Sequence, residues 1–167
     1  MKAAIALGSN LPSEFGDRET NLETAVARIG ALGRVTAVSP FFDTAPVGEL
    51  AQPRFLNGAL LLETELGSSE LLNELLSVEL GMGRDRSATA VEKGPRVIDL
   101  DLLLYEDEVR VTPDLILPHP EMHLRCFVLQ PLAVIAPAWR HPVLGKTIAD
   151  LLAQRCNEAD GVNEPLG

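Results

Sequence analysis

The 167 residues carry 14 Lys and Arg against 24 Asp and Glu, a formal charge of −10, with 46% hydrophobic and 23% charged residues. A chain of this length and balance makes one compact domain with a substantial core, and its negative field disfavours nucleic acid and anionic membrane as partners. The apolar start at residues 3–7 ends at Gly8, too soon for a secretion signal, and no run approaches the ~20 apolar residues that span a bilayer, so a cytoplasmic protein is expected.

In chain order, residues 3–7 read as a short buried strand, and Leu22, Ala25, Val26, Ile29 and Leu32 recur at helical spacing until Gly33. Residues 34–42 and 55–66 are rich in β-branched, aromatic and leucine side chains and predict two further strands, antiparallel to each other. Ser68 or Ser69 is placed to cap a second helix, whose Leu71, Leu75, Val78 and Met82 form one stripe closed by Gly81 and Gly83. Residues 97–105 predict a fourth strand. The order βαββαβ is the split arrangement of ferredoxin-like α+β folds, an antiparallel sheet with helices packed on one face.

Beyond Leu117 the pattern is helical and irregular, with extra C-terminal helices expected at 127–135 and 147–152. The domain is expected to span 1–154, with a polar, flexible tail at 155–167. Cys126 and Cys156 are expected as free thiols, since a chain of this size and class needs no bridge. The connections at 43–54 and 84–96 are each about a dozen residues, longer than the usual four to six, and such loops commonly form lids or binding loops.

Side chains two apart on a strand share a face, so Ile98, Leu100, Leu102 and Leu104 are predicted to face the helices while Asp99 and Asp101 share the opposite side. At about 6 Å and an effective dielectric near 20 the two carboxylates repel by roughly 3 kcal/mol, enough to protonate one unless a cation intervenes. Paired carboxylates are hard ligands suited to Mg²⁺, which completes its shell with water and substrate phosphates. Just upstream, Arg84, Arg86, Lys93 and Arg96 make residues 84–96 a +2 segment in a chain whose remainder is −12. A cationic loop feeding into paired aspartates supplies what phosphate transfer needs, guanidinium clamps and metal sites.

Gly-Arg-Asp-Arg at 83–86, Gly-Pro-Arg at 94–96 and Ile-Asp-Leu-Asp-Leu-Leu at 98–103 resemble the 6-hydroxymethyl-7,8-dihydropterin pyrophosphokinase family. The resemblance extends to Leu-Gly-Ser-Asn at 7–10, residues 44–48, Gln52-Pro53, Phe55-Leu56-Asn57, Leu-Pro-His-Pro at 117–120, and Arg125 with Phe127-Val128-Leu129, so it covers roughly residues 2–152. It implies a ferredoxin-like α+β fold and transfer of diphosphate from ATP to the pterin's hydroxymethyl group, with release of AMP, in folate synthesis. Two Mg²⁺ ions held by Asp99 and Asp101 are implied as cofactors. Arg84 and Arg96 match the catalytic arginines, and His119, Arg125 and, less specifically, Arg86 match positions at the triphosphate. Phe55 and Phe127 match the rings that sandwich the pterin. Asn57 matches a position reading the pterin's edge, together with backbone groups of Thr44, Ala45 and Val47. Glu79 matches a site position of open role. This sequence departs from the family's pattern at Lys93, where a tryptophan is frequent, and at Leu76, Asp114 and Ile116 among the nucleoside contacts.

Other signals lead elsewhere and stop short. Gly145-Lys146-Thr147 lacks the leading glycine of a phosphate-binding loop, because Arg140 stands there and Pro142 interrupts. His119 and His123 are spaced four apart as in zinc helices, but Pro120 replaces the acid; His123 and His141 are expected at the surface. Two rival functions fit parts of the pattern. A palm-like nucleotidyltransferase would also place two aspartates on an antiparallel sheet, and a non-catalytic ferredoxin-like module would need neither arginines nor aspartates.

Overall fold

The computed structural model describes residues 1–44, 54–83 and 96–156. The elements follow the order β1 (Lys2–Ser9), α1 (Arg18–Ile29), β2 (Arg34–Val38), β3 (Phe42–Thr44), β4 (Phe55–Glu63), α2 (Ser68–Gly81), β5 (Asp99–Tyr105), β6 (Arg110–Val111), β7 (Ile116–Leu117), α3 (Cys126–Ile135) and α4 (Ile148–Arg155). The main sheet runs β2-β4-β1-β5, with β3 continuing the β2 side along β4, and every pairing is antiparallel. This is the expected ferredoxin-like α+β domain.

The sheet's centre is apolar on both sides because β1 alternates large and small residues. Ile5 and Leu7 pack with Leu22, Ala25 and Ile29 of α1 and Leu71 and Leu75 of α2. On the other side Ala4, Ala6 and Ala59 let α3 come close, through Val128, Leu129 and Leu132. Truncating one of the fully buried leucines, such as Leu71, would cost about 2–5 kcal/mol, more than any single surface ion pair contributes. The helix starts are chemically marked. Asp17 accepts the Thr20 N–H at 2.9 Å, which holds its carboxyl below the usual range, and Thr147 accepts the Asp150 N–H at 3.1 Å.

Several expectations are corrected by tertiary contacts. The single strand at 34–42 is two strands, because Pro40 has no N–H to donate and the chain steps over Gly58, where a methyl group would lie 2.7 Å from the Phe41 ring. Neither Ser68 nor Ser69 caps α2. The N-cap is Gly67, whose N–H meets Glu70 Oε1 at 3.2 Å, while the Ser68 hydroxyl donates to Glu108 at 2.5 Å. Leu104 leaves the α1/α2 face. A bulge opposite Ala4 and Ile5 inserts Leu103, so Leu104 turns toward α3 and Tyr105 takes its place in the first core. The two-residue strands β6 and β7 were too short for any periodicity to announce.

The cysteines are not free: Cys126 and Cys156 form a disulfide with Cα atoms 5.6 Å apart. α4 packs on α3, which brings the residue after α4 to the first turn of α3, a proximity that a separation of 30 residues conceals. Arg155 within α4 and Cys156 just after it thus belong to the folded unit, two residues past the boundary at 154. Closing that loop should restrict the unfolded chain by roughly 3–4 kcal/mol in the chain-entropy account. Cys156→Ser, or a dithiol reductant, is therefore expected to lower the urea unfolding midpoint; coincident transitions with and without reductant would refute a stabilising bridge.

Candidate active site

β5 carries the two aspartates. Its pairing sets Asp99 opposite Gly8 and Asp101 opposite Ala6, so both side chains project on the side away from α1 and α2. There they line a half-open cleft with about 720 Å³ of atom-free space, part of it continuous with solvent. Thr44, Phe55 and Asn57 come from the antiparallel β3–β4 end, Arg96 from the entry to β5, and Arg125 and Phe127 from the start of α3. Eight expected residues that lie far apart in sequence thus share one cleft.

Small residues form its floor. A methyl group on Gly8 would lie 3.1 Å from Asn57 Oδ1, 3.8 Å from the Phe55 ring and 3.9 Å from Asp99 Cβ, so this glycine separates the aromatic side from the carboxylate side. The Asn57 amide donates to Thr44 Oγ1 at 2.5 Å, which fixes the amide's orientation across the β3–β4 pair.

Each aromatic ring of the cleft carries a guanidinium. Arg96 lies 6.0 Å from the Phe55 centroid and Arg125 5.6 Å from that of Phe127. Arg96 also pairs with Asp99 at 3.2 Å, with both side chains mostly buried, whereas Arg125 pairs with Glu121. Arg96 thereby offsets one of the two aspartates, while Arg125 is paired with a carboxylate other than Asp99 and Asp101. Two hard carboxylates on one face, open to a cleft, fit a divalent cation. Among the described residues no group of three or more His, Cys, Asp or Glu could enclose one, so such an ion would complete its shell from water and substrate.

Two expected residues stand behind or beside the cleft. Glu79, fully buried on α2, accepts the Leu100 N–H at 2.7 Å and so grips β5 between the aspartates from the opposite face. His119 is half-buried, and desolvation, reinforced by Arg125, lowers its pKa against the opposing pull of Glu121 and Asp99. Its Nδ1 accepts the Glu121 N–H at 3.2 Å, so the neutral ring carries its proton on Nε2. Ala45, Val47, Arg84 and Arg86 lie outside the described residues. Sequence reading missed the weight of Gly8 and Asn10, whose only signal was the Gly-Ser-Asn run, and of Asn21 in α1, which no motif marked.

His141 is not at the surface. It is 4% exposed because its Nδ1 accepts the N–H groups of Val143 and Leu144 in the turn before α4, and its ring packs edge-on against His123. Burial, and then His123, lowers its pKa.

Fold and cleft together define a ferredoxin-like α+β domain with one cleft that has an acidic, a cationic and an aromatic wall. Solved structures of similar fold include wild-type Plasmodium falciparum HPPK-DHPS, with a TM-score of 0.70 at 16% identity over 97% of this chain and 46% of that one. This chain spans under half the length of the solved chains it matches, and the likeness speaks for the fold alone. Residues 4–137 match the family described as 7,8-dihydro-6-hydroxymethylpterin-pyrophosphokinase (HPPK). Similar proteins named 2-amino-4-hydroxy-6-hydroxymethyldihydropteridine pyrophosphokinase occur in Pseudomonas aeruginosa, at 41% identity over 89% of this chain and 88% of the relative, and in Bacillus subtilis, at 47% over 80% and 77%. The chain belongs to the 7,8-dihydro-6-hydroxymethylpterin-pyrophosphokinase family.

Two measurements check the local electrostatics. Glu79→Ala should cost roughly 1–3 kcal/mol by leaving the Leu100 N–H unsatisfied, read as a lower unfolding midpoint; an unchanged midpoint would show that water replaces the carboxylate. His119 and His141 have folded pKa values below the unfolded value near 6.5. The unfolded state therefore binds more protons as pH falls from about 6.5 toward the folded values, so stability that is complete above that range declines through it. Denaturation at pH 7.5 and 5.5 should show this loss, and His141→Asn should reduce it; an equal decline in that variant would assign the effect elsewhere.

Proposed function

We propose that this protein transfers the diphosphate of ATP to the hydroxymethyl group of 6-hydroxymethyl-7,8-dihydropterin, releasing AMP, as a step of folate biosynthesis. The reading rests on family membership and on one observation above the rest: paired carboxylates and a flat, aromatic-lined recess occupy the same cleft, separated by one glycine. A pterin is a flat ring with a donor and acceptor edge, and the Phe55 and Phe127 faces with the oriented Asn57 amide suit such a ligand.

In the transfer, the hydroxymethyl oxygen attacks the β-phosphorus of ATP, the bond from that phosphorus to the α–β bridging oxygen breaks, and AMP departs with that oxygen. The hydroxyl proton passes to water. Asp99 and Asp101 are the residues to hold two Mg²⁺ ions, which when bound neutralise phosphate charge and lower the pKa of the attacking alcohol. Arg96, and Arg84 outside the described residues, stabilise charge on the transferring group. His119, through Nε2–H, and Arg125 bind the nucleotide's phosphates, with Arg86 as a further candidate. Phe55, Phe127, Asn57 and Thr44 hold the pterin, joined by backbone groups of Ala45 and Val47. Leu76, Asp114 and Ile116, which depart from the family's pattern at nucleoside positions, are not among the described residues that line the cleft. The proposed setting is the cytoplasm; among the described residues no helix is long and apolar enough to cross a membrane.

Mixing the protein with MgATP and the hydroxymethyl dihydropterin should yield AMP and the pterin diphosphate only when both substrates are present. Asp101→Ala should cut that rate by at least about 10²–10³-fold with the fold intact, the range for loss of one preorganised charge stabiliser. Release of pyrophosphate in place of AMP would point to nucleotidyl transfer, and full activity in the variant would overturn the metal assignment.

A further inference from the structure

We propose that Asn10 is a positioning residue for Arg96, gripping its backbone so that the guanidinium alone moves between Asp99 and the substrate phosphates. Asn10 is 1% exposed and follows the last residue of β1. Its backbone N–H donates to the Arg96 carbonyl at 3.1 Å, and its side-chain Oδ1 accepts the Arg96 N–H at 2.8 Å. One residue thus satisfies both main-chain polar groups of Arg96, as a strand neighbour would. The β1–β5 ladder ends at Gly8 and Asp99, and the Asn10–Arg96 pair continues the contact between the two chain segments beyond it.

A second buried asparagine reinforces the clasp one residue further along. Asn21 of α1 is fully buried; its Nδ2 donates to the carbonyls of Leu11 at 2.8 Å and Val97 at 3.4 Å, and its Oδ1 accepts the Ser13 hydroxyl at 2.5 Å. The turn after β1 and the entry to β5 are therefore sewn together by two buried asparagines that bond half-buried partners. Buried hydrogen bonds of this kind are costly to break and so hold geometry closely. From that fixed backbone the Arg96 side chain reaches Asp99 at 3.2 Å and lies 6.0 Å from the Phe55 centroid, between the carboxylate and aromatic walls. A long, flexible side chain contributes to a transition state only if its root is held, because displacement by about 1 Å can cost 10²-fold in rate.

The inference rests on the role given to Arg96 above, and a double-mutant cycle separates the two. Steady-state kcat and KM are measured for Asn10→Ala, Arg96→Ala and the double variant, with thermal midpoints alongside. Asn10→Ala should lower kcat roughly 10- to 100-fold while the pterin KM stays within about threefold. In the Arg96→Ala background the same substitution should change kcat by less than about twofold, because the side chain it positions is gone. Equal losses in both backgrounds, or unchanged kcat in Asn10→Ala, would overturn the positioning role while leaving the function of the cleft intact. Full activity in Arg96→Ala would instead remove the role of Arg96 and this inference with it. Should Asn10→Ala fail to fold, Asn10→Ser, whose oxygen stops short of the Arg96 N–H, replaces it with the same outcomes; failure of both to fold would assign Asn10 to the scaffold alone and overturn the proposal.

Discussion

Two like charges held side by side on one strand are the constraint around which the molecule is arranged. A strand alternates its faces, so the only way to aim Asp99 and Asp101 at one space is to keep β5 in unbroken register beside β1 over that stretch. The fold does this from three directions. β1 pairs with β5 through Gly8 and Ala6, residues too small to crowd the carboxylates. Glu79 holds the intervening Leu100 N–H from the opposite face. Arg96 supplies positive charge in front, at Asp99. The irregularity in the strand is placed beyond the pair, at Leu103 and Leu104, where a change of face costs nothing at the cleft.

The aromatic wall follows a related economy. Each ring is accompanied by a guanidinium, and such contacts are modest, about 0.5–1 kcal/mol where water has access. Contacts this weak leave both the ring faces and the guanidinium groups available to a ligand in the cleft. Under the proposed reaction the same four side chains would serve an aromatic and an anionic ligand, and the two walls are adjacent in one cleft.

Distant parts of the chain are recruited to hold these groups still. Cys126 sits between Arg125 and Phe127, so the disulfide to Cys156, together with the Arg155 Nε bond to the Leu124 carbonyl at 3.1 Å, ties the last helix to the residues that form the cleft's α3 wall. On the opposite side Asp43 accepts from Arg18 and Arg54, fastening the start of α1 to the β3–β4 end that bears Thr44, Phe55 and Asn57. These outer pairs are half-exposed and individually weak. The buried contacts of Asn10, Asn21 and Glu79 carry more of the burden.

Composition, alternation and helical spacing were sufficient for the βαββαβ order and for the shared face of Asp99 and Asp101, because those properties depend on residues a few positions apart. The motifs around Arg96, Asp99, Phe55, Asn57 and Phe127 marked the cleft by resemblance. What the chain could not disclose by itself depends on contacts between segments tens of residues apart: the break at Pro40 set by Phe41 lying over Gly58, the bulge that turns Leu104, the burial of His141, and the meeting of Cys126 with Cys156. The clasp of Asn10 on Arg96 is of the same kind, since a hydrogen bond across 86 positions leaves no period in the sequence. Local pattern selected the elements, and only their packing decided which polar groups lost water and therefore had to find one another.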